Sequence, residues 1–240
     1  MGNNQVTIRI ADICVGIEPL YGGWFSFCRD YMTSEKPDFV LRATEADLAA
    51  EQERAAEYLD GEKVEGFRLE KIWVYRQIAE TIPKYDAFLI HATSVRVDED
   101  AYLFIGPSGA GKTTHARLWK KYFGDRLRVI NDDKPIIKVI DDEILVCASP
   151  WSGKERWINN IIAPLKAVIW INQSDENSIE KISKAEAWDF LMNQVYRSYD
   201  ADNTQRTLKM IDRVINEASF YALNCNRTFE AVELAYSITQ

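Results

Sequence analysis

Gly106-Pro-Ser-Gly-Ala-Gly-Lys-Thr-Thr114 fits the phosphate-loop pattern G-x-x-x-x-G-K-[ST] with no mismatch. A polyphosphate packs several negative charges into a small volume. Backbone N–H groups from Gly106, Ser108, Gly109, Ala110 and Gly111 can turn inward and cradle it. The helix start that follows, running through Thr114, adds partial positive charge. Lys112 is expected to reach the β- and γ-phosphates, and Thr113 to place its hydroxyl on Mg²⁺. An ordinary Gly-rich turn ending in Lys-Thr is the alternative, and the flanking residues argue against it.

Those flanks have the required periods. Ala101–Ile105 is a short apolar run rich in strand formers. Ala116, Trp119 and Phe123 then recur at helical spacing, as do Leu118 and Tyr122, and Gly124 supplies a stop. Strand, glycine-rich loop and helix is the setting the motif needs.

A phosphate loop needs a carboxylate to hold Mg²⁺ or take a proton. Asn131-Asp-Asp-Lys134 is the nearest candidate. A helix from Lys112 to Phe123 carries the chain about 18 Å away. A strand from Leu127 to Asn131 returns it by about 17 Å. Asp132 and Asp133 should therefore reappear at the mouth of the loop and divide the work, one near the metal and one as base. A polar turn between strands is the alternative. His91 ends the apolar run Ala87–Ile90, while His115 lies on the helix and either faces solvent or packs. Pro150-Trp-Ser-Gly-Lys-Glu-Arg-Trp157 mixes two tryptophans with cations and an acid. Such a loop can close over a phosphate, with Lys154 or Arg156 neutralising charge and Glu155 adding a carboxylate on the metal side. A surface turn anchored by tryptophan packing competes with that reading.

The rest of the chain sets the frame. Its 240 residues are 47% hydrophobic and 28% charged, enough for a full core. The formal net charge of −8 argues against a nucleic-acid binder, which needs a basic excess. Cys14, Cys28, Cys147 and Cys225 form no C-x-x-C pair, and Cys147 reads as a buried thiol. No leader pattern and no membrane-length apolar run is present, which predicts a cytoplasmic protein without a membrane partner. A homo-oligomer is compatible with the sequence, which does not specify one.

Val6–Ile17 alternates as a strand would, Tyr21–Trp24 reads as a tight turn, and Phe25–Cys28 as a second strand. Thr44–Leu59 reads as a helix capped by Thr44 and Asp47, with a solvated acidic face. Gly61–Gly66 is a candidate joint, giving a small N-terminal α+β subdomain over residues 1–65 and a larger unit over 66–240. Leu69 to Ala79 has a helical period. Ala87–Ile90 and Tyr102–Ile105 are strands flanking a turn at Asp98–Asp100. Leu127–Ile130 and Ala167–Ile171 are further strands. Ile136–Ile140 and Glu143–Ala148 form a hairpin. Lys184–Tyr196, Thr204–Glu217 and Thr228–Ser237 read as helices, with a short strand at Phe220–Leu223. The class is α/β, a mixed sheet with flanking helices.

The phosphate loop, the downstream Asp-Asp and the upstream His91 together resemble the group containing HPr kinase/phosphorylase and ATP-dependent phosphoenolpyruvate carboxykinase. His91, Ser108–Trp119, Asn131–Pro135, Pro150–Lys154 and Asn159–Lys166 look especially like the compact bacterial HPr-kinase-related proteins. The resemblance runs over roughly residues 68–240. It implies an ATP- and Mg²⁺-dependent kinase, with Lys112 on the phosphates and Thr113 on the metal. It implies that Asp133 is a base, as in the kinases, or a metal ligand, as in the carboxykinases. Asp132 and His91 would support that acid, and Glu155 would match a second metal carboxylate. Related small kinases modify serine in peptides, so a peptide or protein hydroxyl is the expected acceptor. The Pro-Trp-Ser-Gly-Lys loop departs from HPr kinase itself, and HPr is not the expected substrate. An ATP-binding regulatory module and a small-molecule kinase are the rival readings.

Overall fold

The computed structural model describes residues 5–58, 63–157 and 159–239. Chain order begins with β1 (Val6–Ile10) and β2 (Ile13–Glu18), then α1 (Trp24–Phe27), β3 (Phe39–Arg42), α2 (Glu45–Tyr58) and α3 (Gly66–Thr81). It continues with β4 (Ala87–Leu89), β5 (Thr93–Val97), β6 (Asp100–Ile105), α4 (Lys112–Phe123), β7 (Leu127–Asn131), β8 (Ile136–Ile140) and β9 (Glu143–Cys147). The last part holds β10 (Ile162–Gln173), β11 (Ser178–Lys181), α5 (Lys184–Met192), α6 (Ala201–Glu217), β12 (Ser219–Cys225) and α7 (Phe229–Ile238).

Three features of the N-terminal part differ from the periodic reading. Val6–Ile17 is a hairpin rather than one strand, because Ala11 and Asp12 take φ of 49° and 57° and reverse the chain. Trp24–Phe27 is a helical turn rather than a strand. Its aromatic side chains suit a strand by propensity, but tertiary contacts decide: Trp24 and Phe27 each meet Phe67 edge to face. The acidic helix α2 is not solvated throughout, since Glu51 is fully buried against Arg76 of α3, with Oε1 2.8 Å from the guanidinium. Thr44 and Asp47 cap α2 reciprocally, as their spacing predicts. The proposed joint at Gly61–Gly66 lies partly outside the described residues.

The main sheet has nine strands and is mixed and curled. β10 organises it. Its first residues pair antiparallel with β9, and the remainder lies parallel between β6 and β12. β5 is antiparallel to both β6 and β7, so β6 and β7 run the same way. Consequently β6, β7, β10 and β12 all end at one edge, where α/β sheets place their ligands. β5 has no counterpart in the periodic reading; its polar start, Thr93 and Ser94, is buried but satisfied by the carbonyls of Asp132 and Asn131. Helix α5 stops at Met192, short of Tyr196, because Val195 leaves to pair with Ile90.

Strand β6 is buried on both faces, as a central parallel strand must be. Tyr102 and Phe104 face a cluster under α4 and α7 that contains Trp119, Phe123 and Val232. Leu103 and Ile105 face the larger cluster. That cluster joins Ile8, Val15 and Ile17 of the N-terminal sheet to Ile130, Ile136 and Val168 of the main one. All four cysteines are buried and unbridged. No helix among the described residues is long and apolar enough to cross a membrane.

Candidate functional site

The glycine-rich loop joins the end of β6 to the start of α4. Gly106 has φ of 143°, and a Cβ there would lie 3.2 Å from the Ile171 carbonyl oxygen of β10. Only glycine lets the chain leave β6 this close to its neighbour. Gln173, at the end of β10, donates to the Gly109 carbonyl at 2.7 Å and braces the loop from the side. Lys112 folds over the loop, donating to the Gly106 and Pro107 carbonyls at 2.8 and 3.2 Å. Burial holds its ammonium below the usual lysine range, against the pull of Asp133 and with the help of Lys134.

Asp132 and Asp133 follow β7 at the same sheet edge and line one cavity with Ser108, Lys112 and Thr113. The cavity holds about 450 Å³ and is completed by His91, Gly153, Lys154 and Glu155. The return-path geometry therefore agrees with the structure. Gly109, Gly111 and Thr114 line this cavity too, and with Ala110 they also wall a second one of about 450 Å³ on the other side of the loop. The second cavity is bounded by Leu118, Asp175, Asn226 and Arg227.

The two adjacent acids have different surroundings. Asp133 is part-exposed and stands between His91, 3.4 Å away, and Lys134, also 3.4 Å away. Burial, reinforced by Lys134 and Lys112, lowers His91 to about 4 despite Asp133. His91 is thus neutral at pH 7, and its approach to Asp133 is a polar contact rather than an ion pair. Asp132 is buried. It accepts the N–H groups of Gly153 at 2.8 Å and Glu155 at 3.2 Å. Burial raises its carboxyl above the usual range, and these N–H groups oppose the shift. A Cβ at residue 153 would come within 3.0 Å of Asp132, which is why the loop carries glycine there. Asp132 therefore staples the Pro150–Trp157 loop to the end of β7 as well as neighbouring Asp133.

The loop's charged residues separate. Lys154 faces the cavity of the two acids. Arg156, at φ of 50°, turns away and lines a neighbouring cavity with Phe27 and Lys71. Glu155 stays in the acid cavity but is engaged by Arg117 of α4, whose Nε donates to it at 3.2 Å. His115 packs rather than facing solvent: it is buried, and its Nε2 accepts the Trp119 indole N–H at 2.8 Å.

Three residues that build the site carry no motif of their own. Asn131 accepts the N–H groups of Asp133 and Lys134 at 2.8 and 2.6 Å and donates to the Ser149 and Trp151 carbonyls. An Asn before Asp-Asp is an Asx-turn signal, so its local role was legible. Arg117 lies one helical turn beyond Thr113 and was reachable by periodicity. Gln173 reaches the loop only through the parallel register of β10, which local pattern does not encode.

Among the described residues no cluster of three or more His, Cys, Asp or Glu side chains could cage a metal. Thr113 and Asp133 line one cavity, and a hydroxyl beside a carboxylate is the kind of donor set Mg²⁺ takes, with water and phosphate oxygens completing its shell. No protein-family model matches the chain, and a search of curated proteins returns no match.

Proposed function

We propose that this protein is a Mg·ATP-dependent kinase of the HPr-kinase-like type, transferring the γ-phosphate to a hydroxyl, in first place a serine of a peptide or protein. The observation that carries the reading is the convergence of Lys112, Thr113, Asp133 and His91 on one cavity at the shared strand end. The second cavity, continuous with the loop through Gly109 and Gly111, offers room for the nucleoside. Thr113 and Asp133 would hold Mg²⁺, which supplies charge neutralisation across the phosphates. Lys112 would swing from the Gly106 and Pro107 carbonyls to the β- and γ-phosphates. Asp133 accepts the proton of the acceptor hydroxyl as its oxygen bonds to the γ-phosphorus, and the β,γ-bridging oxygen leaves with ADP. His91, neutral and beside Asp133, orients that carboxylate. Lys154 adds positive charge above the transferring group.

The test is ligand-linked stability. Saturating Mg·ATP should raise the unfolding free energy by about 2.7 kcal/mol at a hundred times its dissociation constant. Lys112→Ala should abolish that shift and ATP turnover while costing the apo protein only about 1 kcal/mol for the lost hydrogen bonds. Labelled ATP offered with peptides and with metabolites in parallel would assign the acceptor. No shift with millimolar Mg·ATP would refute the nucleotide reading.

A further inference from the structure

Beside the acid cavity lies a larger one of about 790 Å³, lined by Lys71, Lys154 and Arg156 with Ser26, Phe27 and Gly153. It is cationic in a chain whose 37 acidic residues outnumber its 29 lysines and arginines. Half-buried Arg76 is paired with Glu51 and half-buried Arg213 with Glu217, whereas Lys71 is half-buried with no carboxylate partner among the described residues, and Lys154 and Arg156 are exposed. Lys71, Lys154 and Arg156 form no ion pair among the described residues. The Lys71 ammonium instead sits over the Phe27 and Phe67 rings, 4.7 and 5.0 Å from their centroids. Burial lowers it, and the neighbouring charges of Arg156 and Arg68 lower it further. Three cations that line one cavity without an ion pair repel one another, and an anion seated among them relieves that repulsion.

Position supplies the second half of the argument. Gly153 and Lys154 line both cavities, and Gly153 is the residue held by Asp132. A ligand in the cationic cavity therefore lies against the wall of the acid cavity. To reach both, it must be an extended chain with its negative charge set apart from its hydroxyl. We propose that this cavity binds the acidic side chains of the acceptor, making the substrate an acidic peptide segment whose hydroxyl is then presented to Asp133. This rests on the kinase reading above. It also gives the N-terminal segment a role, since Ser26 and Phe27 form part of the wall.

The experiment is direct binding, without turnover. Serine-centred fluorescent peptides rich in glutamate, and their glutamine and lysine counterparts, are titrated against the full chain by anisotropy. The glutamate peptide should bind about tenfold or more tightly than the glutamine one, and the gap should shrink at high salt. The double variant Lys71→Glu/Arg156→Glu, with its fold checked by circular dichroism, should come to prefer the lysine peptide. Equal binding of the glutamate and glutamine peptides by the wild-type chain overturns the proposal whether or not the variant folds. Tighter capture of a single-stranded oligonucleotide than of the glutamate peptide overturns it too. Mg·ATP is titrated separately. A glutamate preference without Mg·ATP binding would remove the kinase reading and leave the anion-binding site, whereas Mg·ATP binding without a preference would remove only the site.

Discussion

The carboxylate of Asp132 receives the Gly153 N–H at 2.8 Å, so one member of the Asp-Asp pair is tied to the loop that walls the cavity. Its neighbour Asp133 turns Oδ1 toward both His91 and Lys134. Adjacent residues of identical chemistry thus have separate work.

Substitutions should separate the two. Asp133→Asn keeps an oxygen for Mg²⁺ but cannot take a proton, so it should lower Mg·ATP affinity by less than about tenfold and slow phosphate transfer by ~10²-fold or more, the scale of losing a general base. Asp132→Ala should orphan two N–H groups and loosen the Pro150–Trp157 loop, at about 1–3 kcal/mol of stability. Titrating Mg²⁺ against nucleotide affinity and single-turnover rate checks the first, and urea unfolding of the ligand-free variant checks the second. If Asp133→Asn weakens metal and nucleotide binding but transfers phosphate at the wild-type rate once Mg·ATP is saturating, Asp133 is a ligand and not the base.

Glu155 gives a related test. Because Arg117 engages it, Glu155→Gln should leave the Mg²⁺ dependence of nucleotide binding in place and change affinity by less than about 1 kcal/mol. A rise of tenfold or more in the Mg²⁺ concentration needed for binding would restore Glu155 as a metal ligand.

His115 makes a prediction about pH. Its Nε2 accepts the Trp119 N–H, so the proton of the neutral ring is on Nδ1, and burial lowers the group from 6.5 to about 3. The unfolded chain therefore binds more protons in this window. The stabilising effect of the neutral ring is complete above about pH 6.5 and is lost as pH falls toward 3. His91 acts in the same direction down to about 4. Urea midpoints of the ligand-free protein between pH 7 and pH 4 should fall, and His115→Phe should flatten that slope. An unchanged slope in the variant would count against a neutral buried His115.

Glu70 predicts an effect on the fold. It is buried on α3 and accepts the N–H groups of Leu20 at 2.7 Å and Tyr21 at 3.2 Å and the Trp24 indole at 2.8 Å. Glu70→Ala leaves three donors without it and should cost about 3 kcal/mol or more. Thermal melts followed by tryptophan fluorescence would measure it. A loss under about 0.5 kcal/mol would mean that the Leu20–Trp24 turn is held by its aromatic packing alone.

The same residue explains what local pattern could and could not reveal. Strand β6, helix α4 and the β8–β9 hairpin are legible because their periods and stops are written in consecutive residues. The return of Asp132 and Asp133 follows from element lengths. Helix α1 is not legible: four residues cannot show a period, and the partners that hold it, Phe67 and Glu70, lie more than forty positions on. Strand β5 hides because Thr93 and Ser94 are buried polar groups whose partners come from β7 and its end. The turning away of Arg156 is a matter of one positive φ, which nothing in Lys-Glu-Arg announces.

The apolar cluster joining Ile8, Val15 and Ile17 to Ile130, Ile136 and Val168 has a consequence for how this protein can change. Its N-terminal sheet is not a cassette that could be grafted onto an unrelated sheet. It would arrive with half of a jigsaw and no matching half. A bulkier side chain admitted on one side must be answered by a smaller one on the other. The wall around Ser26 and Phe27 is therefore coupled through packing to the sheet that carries the glycine-rich loop.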